Sequence, residues 1–173
     1  MRALEFWKAV IVDRANFLES LISLLAENQV RYCVIGGEAI NAYAPPVVSL
    51  DLDLVVAVDQ IEEVENLLRA RFTVERFPHS INVSMPRSNL RVQIKTDPRY
   101  FAFVERATER EVLGLALPVA AQEDVLQGKV WAVTDPQRRA SKRQKDLADI
   151  ARLLEARPSL RDQVPAEILE RLF

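Results

Sequence analysis

The segment 34–58 constrains the fold of this chain more than any other stretch. It begins with an apolar, β-branched run that ends at Gly36 and Gly37, and a second apolar run carries Asp51 and Asp53. Residues two apart on a strand point to the same face of a sheet, so these two carboxylates are expected to stand side by side. Neighbouring acids repel each other unless a cation lies between them, and oxygen ligands of this kind suit Mg²⁺. The segment therefore predicts two strands, a short connecting helix and a metal site.

The glycine pair and the acid pair together indicate a nucleotide site. A Gly-Gly turn at a strand-to-helix junction can bring backbone N–H groups close to a phosphate. Ser49, shortly before the acid pair, adds a polar group at the start of the strand. The alternative is that the two acids are merely solvated on an exposed strand face. Against that, Val55 and Ala57 continue the same face as apolar residues. The pattern favours a site for a metal-bound nucleoside triphosphate.

Size and composition predict an ordinary globular protein. The chain has 173 residues, 49% of them hydrophobic, which is enough for one domain with a real core. A net charge of −2 means that any nucleic-acid contact requires a local basic patch. One cysteine excludes an internal disulfide framework. Since neither a signal peptide nor a membrane-spanning run is visible, we expect a cytoplasmic protein without a membrane partner.

Apolar periodicity predicts an α/β (α+β) fold. A mixed sheet flanked by helices is expected over residues 1–119 and a small helical cap over 120–173, the two forming one compact unit. The predicted helices are 3–28, 37–43, 59–70 with Asp59 as N-cap, 98–108, 122–134, 138–156 and 165–172. The predicted strands are 31–35, 51–58, 72–76, 80–85, 90–95 and 111–119.

A second motif block follows in the helical cap, as EDVLQGKVWAV and then RRASKRQKDLADIARLL. Lys129 falls inside the apolar stripe of the first helix, between Val125 and Val133. A lysine on a buried face is unfavourable unless an anion meets it. That anion could be Asp146 in an internal salt bridge, or the phosphate of a ligand. In the next helix, Asp146 and Asp149 flank the core stripe.

Five basic residues occupy the first half of that second helix: Arg138, Arg139, Lys142, Arg143 and Lys145. The helix dipole disfavours cations at this end, so local helix stability does not explain them. They are either a solvated face or a docking surface for a polyanion such as RNA or nucleotide phosphates. Basic residues around the predicted hairpin could extend that surface: Arg87, Arg91, Lys95 and Arg99.

The remaining chemistry-bearing side chains predict no site. His79 is the only histidine and is interpreted as structural, Cys33 reads as a core residue, and no zinc-ligand spacing is present. Trp131 falls opposite the apolar stripe of its helix, which indicates cover by a partner or by another segment.

The two motif blocks resemble a known family. GGEAINAY followed by SLDLDLVV is similar to the signature of the polymerase-β-type nucleotidyltransferase superfamily. With the lysine helix and the Lys-Asp-x-x-Asp run, the chain most resembles the AbiEii-type nucleotidyltransferase-like proteins, known chiefly as toxins of toxin–antitoxin pairs. The resemblance covers most of the chain.

The resemblance implies an enzyme that transfers a nucleoside monophosphate from a nucleoside triphosphate to a hydroxyl group of RNA, such as a tRNA 3′ end, or of a protein. The acid pair, Asp51 and Asp53, would bind Mg²⁺ or Mn²⁺. Lys129 would hold the triphosphate, and Asp146 would lie near the attacking group or the metal, or orient Lys129. The glycine pair and Ser49 would contact the nucleotide. A cognate antitoxin would be a partner.

One position departs from the superfamily pattern. Active members usually carry a third acid on a later strand, here within 90–95, where Gln93 stands. A neutral amide cannot serve as the general base or as a ligand of a second metal. Asp97 has the same strand parity but lies further along. Either Asp146 supplies the missing carboxylate, or the protein binds nucleotide or a partner without turnover.

Overall fold

The sheet is built from the short apolar and β-branched runs of the sequence. The computed structural model describes residues 3–173, except for the side chains of residues 3 and 11. Within that range one mixed sheet has the strand order β3-β4-β5-β2-β1-β7-β6. Its strands are β1 (Tyr32–Ile35), β2 (Asp51–Val56), β3 (Thr73–Phe77), β4 (Ser80–Ser84), β5 (Arg91–Lys95), β6 (Thr108–Val112) and β7 (Leu115–Val119).

Strand β2 lies at the centre of this sheet. It runs antiparallel to β1 and parallel to β5, while β1 runs parallel to β7. The outer pairs β3–β4, β4–β5 and β6–β7 are antiparallel. Leu52 and Leu54 of β2 are completely buried, while Asp51 and Asp53 alternate with them and are partly exposed. The period-two pattern thus places the acid pair on the face opposite the core leucines.

Helices cover the sheet and complete the core. They are α1 (Ala3–Ile11), α2 (Phe17–Glu27), α3 (Gly36–Ile40), α4 (Ile61–Arg69), α5 (Phe103–Arg106), α6 (Gln122–Thr134), α7 (Ala140–Ala156) and α8 (Ala166–Leu172). Single 3₁₀ turns occur at Val58–Gln60 and Pro98–Tyr100, and a longer 3₁₀ stretch at Pro158–Gln163. Helices α6 and α7 pack on each other and on α3, and Lys142 of α7 reaches Asp51 at the start of β2. Among the residues described, no helix combines the length and apolar character that crossing a bilayer requires.

The predicted single helix 3–28 is wrong, because two helices meet there at a sharp break. Val12 and Asn16 adopt positive φ angles of 58° and 53°. Between them, the buried Asp13 carboxylate accepts hydrogen bonds from the N–H groups of Phe17 and Leu18, at 3.0 and 3.2 Å. Asp13 therefore satisfies free N–H groups at the start of α2 and ends the first helix.

Three further predictions need correction. Residues 111–119 are not one strand, because Leu113 and Gly114 both have positive φ and form the two-residue turn between β6 and β7. The predicted helix 98–108 is reduced to the 3₁₀ turn and the four residues of α5. Asp59 does not cap α4 through its side chain and instead pairs with the Arg31 guanidinium at 2.5 Å.

Candidate active site

The acid pair lies at the start of β2, between two other strands. Asp53 is in register with Ile35 of β1 on one side and with Gln93 of β5 on the other, and Asp51 is in register with Arg91. The Ser49 hydroxyl accepts a hydrogen bond from the Asp51 N–H group at 3.1 Å and steadies the entry into the strand. The two carboxylates are therefore held side by side by sheet pairing, as the alternation predicts.

Gly36 allows the acid pair to approach the start of α3. Its φ is +69°, a conformation that favours glycine. A Cβ atom at this position would lie 2.5 Å from Asp53 Oδ2. Gly37 differs, because a Cβ atom there would meet nothing within 4 Å. Gly36 is thus required by the closeness of Asp53, whereas Gly37 leaves open space beside the backbone.

The two carboxylates have different partners. Asp51 accepts a hydrogen bond from Arg91 Nε at 2.7 Å and pairs with Lys142 Nζ at 3.6 Å. Among the described residues, none donates a hydrogen bond to Asp53 or forms an ion pair with it. Burial raises the pKa of Asp53, and the charges of Lys95 and Lys129 only partly offset this. Asp53 is a partly buried acid without a direct counter-charge.

Lys129 is buried on α6, where the periodicity places it. Its ammonium pairs with Asp146 Oδ1 at 2.9 Å and with Asp149 Oδ2 at 2.8 Å, and the side chain is 11% exposed. Burial works against the charged form, but Asp149 and Asp146 outweigh it and raise the Lys129 pKa. The internal salt bridge expected as one alternative is present. It does not exclude the other, because Lys129 also lines the cavity beside the acid pair.

Asp146 links Lys129 to Arg138, which lies just before the start of α7. Its second oxygen accepts a hydrogen bond from Arg138 Nε at 2.8 Å. Burial would raise the Asp146 pKa, but Arg138 and Lys129 outweigh burial and lower it. Both oxygens of Asp146 are therefore occupied by cations, which fits a residue that positions them.

One cavity of about 480 Å³, which we call the cleft, collects most of the predicted site. Its lining includes Gly37, Ser49, Asp51, Asp53, Gln93, Lys129, Arg138, Lys142, Lys145 and Asp146. Gly36 lines an adjoining cavity of about 60 Å³ instead, together with Asp53 and Lys129. Arg139 and Arg143 do not line the cleft, and Arg143 donates to the Asp135 carbonyl oxygen. The basic cluster therefore divides between the cleft and the outer surface.

Comparison with sequence models of protein families identifies the family of this chain. Residues 25–173 match the sequence model described as "Nucleotidyl transferase AbiEii toxin, Type IV TA system". The chain belongs to the AbiEii nucleotidyltransferase family. A comparison with curated protein sequences found no significant match.

Solved structures share the fold of this AbiEii-family chain at low sequence identity. The solution structure of the antibiotic-resistance factor ANT(2'')-Ia has a TM-score of 0.60 and 13% identity, covering 93% of this chain and 97% of that one. The lincomycin-bound lincosamide adenylyltransferase LnuA has a TM-score of 0.55 and 13% identity, covering 79% and 95%. An antigenic nucleotidyltransferase-like protein from Paracoccidioides brasiliensis has a TM-score of 0.55 and 18% identity, covering 96% and 85%. The fold is therefore that of the polymerase-β-like nucleotidyltransferases.

Gln93 occupies the position beside Asp53 where the superfamily pattern has its third acid. Its amide donates to Asn82 Oδ1 on β4 at 3.3 Å, and both side chains line the cleft. Asp97 does not replace the missing acid, because it lies outside the cleft and binds the Arg99 side chain and N–H group. Asn82 was not predicted as a site residue, although its cross-strand register with Gln93 could have indicated that it lies beside the site.

The donor set of the AbiEii-family cleft fits one divalent cation. Within residues 3–173, no group of three or more acidic, histidine or cysteine side chains comes together as a ready metal site. Two carboxylates remain, and Asp53 has no direct partner. Mg²⁺ is commonly held by one or two carboxylates together with substrate phosphates. The acid pair could hold one such ion with a triphosphate, whereas Gln93 offers no charge for a second.

Trp131 is covered by residues of the same chain. Its ring stacks on Phe103 at 5.8 Å and meets Tyr100 edge-on at 5.2 Å, with the Arg99 guanidinium 4.7 Å above it. Tyr100 and Phe103 also line the small cavity next to Asp53. This aromatic cluster was not predicted as part of the site, and two of its rings line the small cavity that Asp53 and Lys129 also line.

Proposed function

We propose that this AbiEii-family protein is a magnesium-dependent nucleotidyltransferase that transfers a nucleoside monophosphate from a nucleoside triphosphate to a hydroxyl group. The observation that carries the proposal is Asp53, a partly buried carboxylate without a direct partner that lines a cleft rich in cations. Such a site favours a ligand that brings a cation to the acid and an anion to the surrounding bases. A metal-bound triphosphate has both.

The proposed roles of the cleft residues follow from their charges. Asp51 and Asp53 would hold the metal, which supplies charge neutralisation and in-line alignment of the phosphates when it is bound. Lys129 would face the triphosphate from α6, held in place by Asp146. Arg138 and Lys142 would neutralise the negative charge that grows on the pyrophosphate leaving group. Preorganised charge of this kind supplies most of the acceleration in phosphoryl transfer.

Gln93 sets a limit on the chemistry. Because it cannot accept a proton from the acceptor hydroxyl, this residue would only orient the acceptor through its amide. The attack of the hydroxyl oxygen on the α-phosphorus would proceed with the proton leaving to solvent. We expect slower turnover than in a chain with an acid at this position.

The acceptor we propose is a polyanion such as the 3′ end of a tRNA. Arg139 is exposed, and Lys142 and Lys145 lie at the rim of the cleft. Basic side chains around an opening of this kind would attract a nucleic-acid strand. A protein hydroxyl is the alternative acceptor. A role as the toxin of a toxin–antitoxin pair, with a cognate antitoxin as partner, rests on the family description.

The test is label transfer from each α-³²P nucleoside triphosphate, with Mg²⁺ or Mn²⁺ and total RNA or total protein as acceptor. Asp53→Asn should abolish transfer because it removes the charge that faces the cleft. Asp59→Asn is the matched control, since Asp59 pairs with Arg31 and does not line the cleft. Magnesium-dependent nucleotide binding without transfer to either acceptor would favour the non-catalytic alternative.

A further inference from the structure

A line of polar side chains crosses the sheet face of the cleft, and we call Gln93, Asn82 and Glu75 the polar row. Gln93 of β5 is in register with Asp53 of β2 on one side and with Asn82 of β4 on the other. Asn82 is in register with Glu75 of the edge strand β3. Cross-strand partners share one face of a sheet, and all four residues line the cleft. Three strand spacings, about 14 Å in total, separate the backbones of Asp53 and Glu75.

Charge is unevenly distributed around the cleft. Among the described residues that line it, the basic ones lie on β5, on α6, on α7 or just before α7: Arg91, Lys95, Lys129, Arg138, Lys142 and Lys145. The lining residues of β3 and β4 within the same range include no base, and Arg76 of β3 pairs with Glu65 instead of lining the cleft. Phosphates are therefore favoured beside β5 and the helices, and a neutral part of a ligand is favoured along β3 and β4.

The polar row offers both donors and acceptors to that neutral part. Gln93 donates to Asn82 Oδ1 at 3.3 Å, which leaves the Gln93 carbonyl oxygen and the Asn82 N–H groups to a ligand. Within residues 3–173, the Glu75 carboxylate has no hydrogen bond or ion pair. A carboxylate accepts hydrogen bonds only, so a hydroxyl donor suits it and a phosphate is repelled. The row therefore complements the hydroxyl-bearing edge of a sugar.

The direction of the proposed transfer decides which sugar lies on the polar row. Helices α6 and α7 pack on α3, which follows β1, whereas the row begins on β5. Strands β1 and β5 flank β2 on opposite sides. With the triphosphate held by Lys129 and Arg138, the pyrophosphate leaves towards the helices. In an in-line displacement the attacking hydroxyl enters from the opposite side of the phosphorus, which is the side of the row.

We propose that the polar row binds the sugar edge of an RNA acceptor end, an inference that rests on the proposed function. The reacting sugar lies beside Asp53 and Gln93. Because the row is longer than one sugar ring, it also reaches the next sugar of the strand, whose 2′-hydroxyl donates to Glu75. Contact with a 2′-hydroxyl is what allows a protein to distinguish RNA from DNA. Glu75 is thus a specificity-determining residue for the acceptor.

The test is fluorescence anisotropy with a 5′-fluorescein RNA octamer of a tRNA 3′-end sequence, without nucleotide or metal. One comparison octamer has a 2′-deoxy sugar at the penultimate residue, and another has it at the fifth residue from the 3′ end. All three carry the same number of phosphates, so counter-ion release cancels in the ratio of their affinities. The penultimate 2′-deoxy octamer should bind about five- to tenfold more weakly than the RNA octamer, because a hydrogen bond to an exposed charged group is lost. The other 2′-deoxy octamer should bind like RNA.

Variants assign the discrimination to Glu75. Since Glu75 also repels phosphates, the readout is the ratio of affinities and not the affinity itself. Glu75→Ala should reduce the penultimate ratio to below about twofold, and Glu75→Gln should retain part of it because an acceptor oxygen remains. Glu109→Ala is the matched control, since Glu109 is an exposed carboxylate on the other edge strand and does not line the cleft. Its ratio should equal that of the wild type, and thermal unfolding checks that each variant is folded.

Several results would overturn the proposal: no binding of RNA, equal binding of the RNA and penultimate 2′-deoxy octamers, an unchanged ratio in Glu75→Ala, or a ratio lost equally in Glu109→Ala. A Glu75→Ala protein that loses discrimination between a nucleoside triphosphate and its 2′-deoxy form would assign the row to the nucleotide and would also overturn it. Label transfer to RNA without the penultimate ratio would refute this inference alone. The ratio without label transfer would refute the transferase and leave the RNA site.

Discussion

Replacing Gly36 by alanine tests the contact on which the geometry of the acid pair rests. Two penalties add at this position. An L residue in the left-handed region is less stable by about 1–2 kcal/mol, and φ here is +69°. The new Cβ atom would also lie 2.5 Å from Asp53 Oδ2 and 3.2 Å from Asp53 Cβ. Moving that side chain off its rotamer costs about 0.5–1.5 kcal/mol.

We therefore expect Gly36→Ala to destabilise the fold by about 2–3 kcal/mol. For a chain of this length that lowers the melting temperature by about 4–12 °C. The assay is thermal unfolding followed by circular dichroism. Because the displaced group is the proposed metal ligand Asp53, label transfer should fall as well, at temperatures where the variant remains folded.

Gly37→Ala is the matched control for stability. A Cβ atom there meets nothing within 4 Å, and alanine is favoured over glycine inside a helix by about 0.5–1 kcal/mol. Its melting temperature should be unchanged or slightly raised. If the two variants have the same melting temperature, the close approach of Asp53 to Gly36 does not control the site, and the reasoning fails.

Three further predictions address buried charge. Lys129→Met should lower the free energy of unfolding in urea by about 3 kcal/mol, because Asp146 and Asp149 lose the cation that they share. Each of the two carboxylates keeps an arginine partner. Unchanged stability would contradict this prediction. Gln93→Glu adds an acid beside Asp53 and should enlarge the rise in melting temperature on adding Mg²⁺, whereas an equal rise in both proteins would argue against a metal there. The pKa of Glu38 is raised from 4.5 to about 7, so the folded state holds a proton that the unfolded chain has lost, and stability falls as the pH rises between these values. Glu38→Gln should remove this loss, so that the free energy of unfolding of the variant exceeds that of the wild type by about 3 kcal/mol near pH 8. The difference in stability should shrink towards pH 4, and a difference that does not change with pH would refute the raised pKa of Glu38.

The parts of the site that follow a local period were predictable from sequence. Asp51 and Asp53 are side by side because side chains on a strand alternate, and Lys129 is buried because it falls within the stripe of α6. The pairing of Lys129 with Asp146 was predictable because the two residues lie on consecutive helices. These predictions succeeded because the period of one element decides which face a residue occupies.

The failures occurred where a side chain overrides the period. The break between α1 and α2 falls at residues 12–16, where Val12 and Asn16 have positive φ and Asp13 caps α2, and none of this follows from the spacing of apolar residues. Leu113 occupies a left-handed position that its residue type disfavours, and that position hides the β6–β7 turn. The cavity lined by Trp7, Glu38 and Glu111 could not be predicted either, because these residues are brought to one place only by tertiary packing.

The pairing of Asp51 leads to a last expectation, which concerns the order in which ligands enter the cleft. Arg91 and Lys142 both contact Asp51, so they must release this carboxylate before it can hold a metal ion. A triphosphate offers the two cations a new partner, while a free metal ion only displaces them. Magnesium and nucleotide should therefore bind cooperatively, with a coupling of about 1–3 kcal/mol.

Titration calorimetry of Mg²⁺ with and without a non-hydrolysable triphosphate measures that coupling. By linkage, the nucleotide should gain the same factor in affinity from Mg²⁺. Arg91→Ala removes one of the two competing cations without touching Asp53, so it should tighten the binding of Mg²⁺ alone and reduce the coupling. Equal magnesium affinity in the presence and absence of nucleotide would mean that Arg91 and Lys142 do not compete for Asp51. In that case the ion pairs of Asp51 are a permanent part of the fold, and Asp53 alone would have to serve the metal.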